Sequence, residues 1–192
     1  MKDIKDNPWI ARIESLCNEY GVDLKANAEV QKFFLDFGGN DTPSASKHHG
    51  NFEWGHWEHI HSVIQLALQL NKLHNLQYAP LSIIKVVLAH DIRKFEFPCT
   101  PCFNKNGQRS AIPWEWTDQA VYLPEGLLGV LDGSKYFPLD SIEQQAIFYH
   151  NMHYDYDINP HDDKIGKFTW FIHTCDLYSS KLLEQIKVWK KE

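Results

Sequence analysis

Residues 86–97 read VVLAHDIRKFEF, an apolar run that passes straight into His90, Asp91, Arg93 and Lys94. Val86 to Ala89 continue the apolar pattern of Ile83 and Ile84, so the segment predicts the inner part of a helix that packs in a core. A carboxylate delivered to the end of such a helix is costly unless it is paired or bound to a cation. The stretch therefore points to a helical fold with an ionic site where one buried helix stops.

Working outward, the same periodicity recurs on both sides. Val63, Leu66, Ala67, Leu70 and Leu73 mark an amphipathic helix from about Trp57, and Pro80 or Leu81 opens the helix that climbs to His90 and Asp91. Ile10, Ile13, Leu16, Cys17 and Tyr20, then Val30, Phe33 and Phe34, predict two earlier helices broken near Gly21 and Val22. Residues 37–55 are rich in Gly, Ser, Pro and Asn and read as an ordered loop. Residues 95–120 predict a short hairpin turning at Asn106 and Gly107, a candidate lid. Helices resume around Leu127 to Leu131 and Ile142 to His150, and a polar loop leads to a final helix of about 25 residues from Lys164 onward. No repeat or composition break marks a linker. The expectation is one all-α domain over 1–192, with a helical extension at 1–36, a core at 40–187 and a small β excursion near 95–120.

At 192 residues the chain can bury a real core. Its net charge of −6 argues against a broad basic face for duplex nucleic acid, although a local basic pocket for one phosphate remains compatible. No apolar run approaches the length needed to span a bilayer and the start MKDIKDNPWI lacks a signal-peptide core, so a cytoplasmic protein without membrane partners is expected. Cys17, Cys99, Cys102 and Cys175 are expected to be reduced thiols. Cys99 and Cys102 form a CxxC without a second pair at zinc-finger spacing, so a loop turn around Pro98 and Pro101 is the favoured reading there.

Eleven histidines are many for this length, and most isolated ones, such as His74 or His161, read as solvated or core-capping residues. His90 and Asp91 differ because other helices offer a matching set: His59 near a helix start and Asp176 in FIHTCD at 171–176. Two imidazoles and two carboxylates make a mixed nitrogen and oxygen site suited to one divalent ion such as Mn, Fe, Co, Ni, Zn or Mg. Water and a phosphate oxygen would complete its coordination.

The order His59, His90–Asp91, Asp176 resembles that of the HD-domain metal-dependent phosphohydrolases. The resemblance is closest to a branch common in phages and bacteria with a loop like PASTKYHGNYEGGLLEHS. Here Pro43 to Ser62 reads PSASKHHGNFEWGHWEHIHS, keeping His49–Gly50, Glu53, Gly55 and Glu58–His59 at the same offsets. HDIRK, NGQRSAIPWEW, AIFYH and FIHTCD resemble further segments of that branch, so the similarity covers residues 40 to 180. It implies His59, His90, Asp91 and Asp176 as metal ligands, Lys94 as a phosphate contact, and Lys47 and His49 as loop residues near substrate. Where the branch shows a motif like PLGHGE, this chain has LPEGLLG at 123–129, with Glu125 but no histidine. That loss favours one bound metal, with His150 or His153 as partial substitutes.

For individual roles, Glu58 is either a general base beside His59 or a helix N-terminal carboxylate favoured by the macrodipole. Arg93 and Lys94 are either phosphate donors or C-terminal helix cations; function is favoured for Lys94 and not for Arg93. His150 is a candidate substrate contact, and His173 reads as a partner that supports Asp176 rather than as a ligand. The expected activity is hydrolysis of a small phosphorylated metabolite, most readily a nucleotide or deoxynucleotide, with Asp91, Glu58 and Lys94 catalytic. The alternative is a nucleotide-binding regulatory domain without turnover. Oligomeric state is not legible.

Overall fold

Helix boundaries lie where local chemistry puts them. The first helix, α1 (Ile10–Glu19), buries Ile10, Ile13, Leu16 and Cys17 on one face. It stops because Gly21 takes the left-handed conformation at φ +78°. The Gly21 and Val22 amides then donate to the Asn18 and Cys17 carbonyls, satisfying the helix end. α2 (Ala28–Phe37) is capped by Asn27, whose side chain accepts from the Val30 amide. α4 (Pro80–Ala89) starts with proline in its first turn, where no amide is needed.

The computed structural model describes residues 2–45, 49–96, 99–116, 124–152 and 164–184. Lys47, His48, His153 and His161 lie outside them. Among the described residues the remaining elements are α3 (Gly55–Leu73), the short α5 (Arg93–Glu96), β1 (Cys99–Phe103), β2 (Arg109–Trp116), α6 (Glu125–Gly133), α7 (Ser141–Phe148) and α8 (Lys167–Tyr178). A single π-helical turn, Ser179–Leu183, follows α8. The fold is thus a mainly helical assembly with one two-stranded sheet.

One hydrophobic cluster joins residues of α1, α2, α3, α4, α7 and α8, including Ile13, Phe33, Ile60, Ile84, Ile147 and Ile172. Fully burying each such side chain contributes about 1.5–3 kcal/mol. Phe33 is its aromatic hub, with the rings of Phe34, Phe37, Trp57, Phe95, Tyr136 and Phe137 at centroid distances from 4.9 to 6.5 Å. α4 runs through the middle, packed on α3, α6 and α7. Lys85 on α4 pairs with the buried Glu143 of α7 at 2.8 Å. Glu143 also completes a capping box with Asp140 at the start of α7.

Two expectations need correction. The C-terminal helix does not run on for about 25 residues from Lys164: α8 begins at Lys167, after an extended Gly166, and gives way at Ser179 to the π turn. Glu184 is extended at φ −81° and ψ 142°, which ends the helical path. The CxxC is not a loop turn either, because Cys99, Pro101 and Cys102 lie in β1. Proline is tolerated there because a two-stranded sheet has only edge strands. The hairpin does turn at Asn106 and Gly107, where Asn104 accepts from the Asn106 and Gln108 amides and Gly107 has φ +77°. Cys17, Cys102 and Cys175 are free thiols. Among the described residues, no helix is long and apolar enough to cross a membrane.

Candidate metal centre and its cavity

α3 supplies His59 just inside its start. The helix can begin there because Gly55 meets Gly50 closely: a Cβ on Gly55 would sit 1.9 Å from the Gly50 carbonyl oxygen. α4 delivers His90 at its C-terminal cap and Asp91 immediately after, both buried. α8 supplies Asp176. His59, His90 and Asp91 come together at one point between these helices, and Asp176 approaches that point beside His59.

Their orientation is set by what the other ring nitrogen does. His90 Nδ1 donates to the Val87 carbonyl at 2.7 Å, and His59 Nδ1 donates to Glu184 Oε1 at 2.7 Å. Because a carbonyl and a carboxylate only accept, these contacts assign the Nδ1–H form and leave Nε2 of each ring facing inward. The two Nε2 atoms lie 3.2 Å apart. Asp176 Oδ1 is 3.3 Å from His59 Nε2, and Asp91 Oδ2 is 3.3 Å from His90 Nε2 and 3.7 Å from His59 Nε2.

Lone pairs facing each other at such distances repel unless a proton or a cation lies among them. The protonated state accounts for this: burial lowers the His59 pKa, but Glu184, Asp176 and Asp91 outweigh it and raise the value to about 8. Burial likewise opposes ionisation of Asp91, yet Lys94, His90 and His150 hold its carboxyl well below the usual range. His59, His90 and Asp91 offer donor atoms mutually close enough to hold a metal ion. The arrangement fits a divalent cation: inward lone pairs, two nearby carboxylates and anchored imidazoles.

A second group shares Asp91. Asp91, Glu125 and His150 also place one donor atom each within 4.8 Å of one another. His150 Nδ1 donates to the Ile147 carbonyl at 2.7 Å, while its buried Nε2 points toward Asp91 Oδ1 at 3.6 Å and has no hydrogen-bond partner among the described residues. Burial lowers its pKa, but Asp91, Glu125 and Asp176 prevail and raise it to about 9. Glu125 stands in the segment where the sequence lacks a histidine, and Asn151 donates to its Oε2 at 3.0 Å. α6 reaches this place because its glycines let it press on its neighbours: a Cβ on Gly126 would lie 2.0 Å from the Phe148 carbonyl oxygen. A third combination, His49, His59 and Glu184, draws on a Glu184 that already holds His59 Nδ1.

His59, Asp91 and Asp176 line a cavity of about 390 Å³ together with His49, Lys94, His150, Asn151, His173, Ser180 and Lys181, while His90 is buried and not part of that wall. Lys94 Nζ lies 2.5 Å from Asp91 Oδ2. The His49 ring sits 5.5 Å from that of His59, and burial, aided by the His59 charge, lowers its pKa to about 4. His173 Nδ1 donates to the His150 carbonyl at 2.5 Å, so it fastens α8 to the end of α7 rather than supporting Asp176.

Glu58 is not among the described residues that line the cavity. Adjacent helical residues point about 100° apart, and Glu58 faces Arg12 and Glu184 electrostatically instead. Arg93 pairs with Asp132 of α6 at 3.0 Å, a structural link between elements. Lys47 falls outside the described residues.

Sequence reasoning missed Lys181 and Glu184. On an ideal α-helix Lys181 lies roughly 140° around from Asp176, so periodicity turned it away from the site. The π turn changes that angle, and nothing in residues 179–184 signals a π turn. No protein-family model, curated protein or solved structure matches the chain.

Proposed function

We propose that this chain is a metal-dependent phosphohydrolase of the HD-domain type, acting on a small phosphorylated metabolite, with a nucleotide or deoxynucleotide as the preferred class. One observation carries the reading: His59, Asp91 and Asp176 line a cavity that also presents Lys94 and Lys181, with the anchored imidazole of His90 against His59 and Asp91. The motif order His59, His90–Asp91, Asp176 adds the family resemblance. The cavity volume falls in the roughly 300–1,000 Å³ typical of small-molecule sites.

His59, His90, Asp91 and Asp176 would hold a divalent cation, which would polarise a phosphoryl oxygen and lower the pKa of a bound water. The chain's own groups do the remaining work. Lys94 and Lys181 bring positive charge to phosphoryl oxygens, which favours the transition state as negative charge redistributes. Asp91 and Asp176 accept hydrogen bonds from an attacking water and orient it. His150 Nε2 faces the same space and serves a phosphoryl or leaving oxygen, while His49 contacts substrate from the cavity wall. Glu58 takes no part in this scheme.

Elemental analysis of the purified protein, combined with a nucleotide panel that separates release of phosphate, pyrophosphate and triphosphate, tests the reading. The expected result is one divalent ion per chain and metal-dependent turnover, with His90→Ala and Asp91→Ala losing metal and turnover together. Retained turnover in Asp91→Ala refutes the assignment. Two tightly held ions would place the second at Asp91, Glu125 and His150. Stoichiometric nucleotide binding without turnover under several metals would make the chain a regulatory binder instead.

A further inference from the structure

We propose that Glu184 is the positioning residue of the metal centre: its carboxylate orients the His59 imidazole for ligation, which makes the π turn that follows α8 part of the site. The inference rests on the metal-centre reading above, and extends it to a residue that touches no ion.

The three histidines that aim Nε2 inward secure Nδ1 in two different ways. His90 and His150 each donate to the carbonyl three residues earlier, Val87 and Ile147, so their orientation is local to the ends of their own helices. His59 lies near the start of α3, and its Nδ1 partner is Glu184 Oε1 at 2.7 Å, 125 residues away in sequence. The Glu184 side chain is fully buried. Its other oxygen, Oε2, has no hydrogen-bond partner among the described residues, so among them the carboxylate serves His59 Nδ1.

The backbone explains how this carboxylate arrives. Asp176 and Glu184 hang on the same stretch of chain, α8 and the π turn that continues it. The Glu184 amide donates to the Ser179 carbonyl at 3.0 Å, five residues back, and the residue then turns to an extended conformation. The π turn packs against α3. One segment thus presents Asp176 to one nitrogen of His59 and Glu184 to the other.

A carboxylate on the far nitrogen of a ligating imidazole fixes its tautomer and rotation and raises its basicity, and removing such a partner weakens metal binding about 10- to 100-fold. The test measures Co²⁺ and Zn²⁺ dissociation constants by competition with a chromophoric chelator. It uses the wild type, Glu184→Ala and Glu184→Gln, together with the visible absorption of the Co²⁺-loaded proteins. We expect Glu184→Ala to weaken both metals at least about tenfold and to shift the Co²⁺ bands. Glu184→Gln keeps an acceptor for Nδ1–H without the charge, and should fall between Ala and wild type. Unchanged dissociation constants and spectra in a folded Glu184→Ala protein overturn the inference while leaving the metal centre standing. If Glu184→Ala does not fold, wild-type affinity and spectrum in Glu184→Gln overturn it. Failure of the wild type to bind either metal removes the centre and this inference together.

Discussion

Carboxylates outweigh burial at His59 and His150 and raise their pKa values, whereas burial outweighs the nearby carboxylates at His49 and His56, and the two pairs set opposite pH limits. The His56 ring is fully buried with no hydrogen-bond partner on either nitrogen among the described residues, and burial pushes its pKa well below the ordinary 6.5; His49 is lowered to about 4. As pH falls below about 6.5 the unfolded chain takes up protons that these two folded imidazoles refuse, so stability drops on the acid side. His59 and His150 behave inversely. Their pKa values are raised to about 8 and about 9, so their stabilisation is complete below about 6.5 and is lost as pH rises through those values. Urea midpoints of the metal-free protein, measured with chelator, should therefore peak near neutrality and fall toward about pH 5 and about pH 9.5. A midpoint that rises steadily from about pH 7 to about pH 9.5 contradicts this account. Saturating metal should flatten the alkaline limb, since the ion replaces the proton at His59 Nε2.

The placement of helices around the centre depends on contacts that only small residues permit. α6 carries Glu125 to Asp91 and His150 by pressing Gly126 against the end of α7. Gly126→Ala would drive a Cβ to 2.0 Å from the Phe148 carbonyl oxygen, a backbone atom that cannot rotate away. The helices must separate, at a cost of about 1–3 kcal/mol. Glu125 should then lose its place beside Asp91, while His59 and His90, on α3 and α4, keep theirs. Equilibrium denaturation and a metal titration check both parts, and an unchanged denaturation midpoint would mean that α6 does not pack as described.

For the protein as a unit, an ion held by His59, His90, Asp91 and Asp176 would cross-link α3, α4 and α8, three elements of one hydrophobic core. An ion that binds the folded chain and not the unfolded one stabilises it by about 2.7 kcal/mol at a free concentration of 100 times its dissociation constant. Adding a chelator should lower the thermal midpoint, and restoring a divalent metal should recover it. The His90→Ala protein should show neither response. An equal shift in His90→Ala would place the stabilising ion elsewhere.

Much of this was legible in the sequence because it is local. A glycine two residues past a helix, a proline in a first turn, Asn106–Gly107 between strands and apolar residues every three or four positions act through atoms a few residues apart. They determine where α1, α3, α4 and the hairpin lie whatever else the chain does. The approach of His59, His90 and Asp91, with Asp176 beside His59, follows the order of a motif visible in the sequence. The tertiary structure alone decided that their inward nitrogens lie 3.2 Å apart, that Glu58 turns away and that Glu125 joins Asp91 and His150. It also decided that Glu184, 125 residues from His59, closes the site. Such contacts depend on helix crossings and on a change from α to π winding, and these follow from packing among distant segments, which short-range periodicity does not encode.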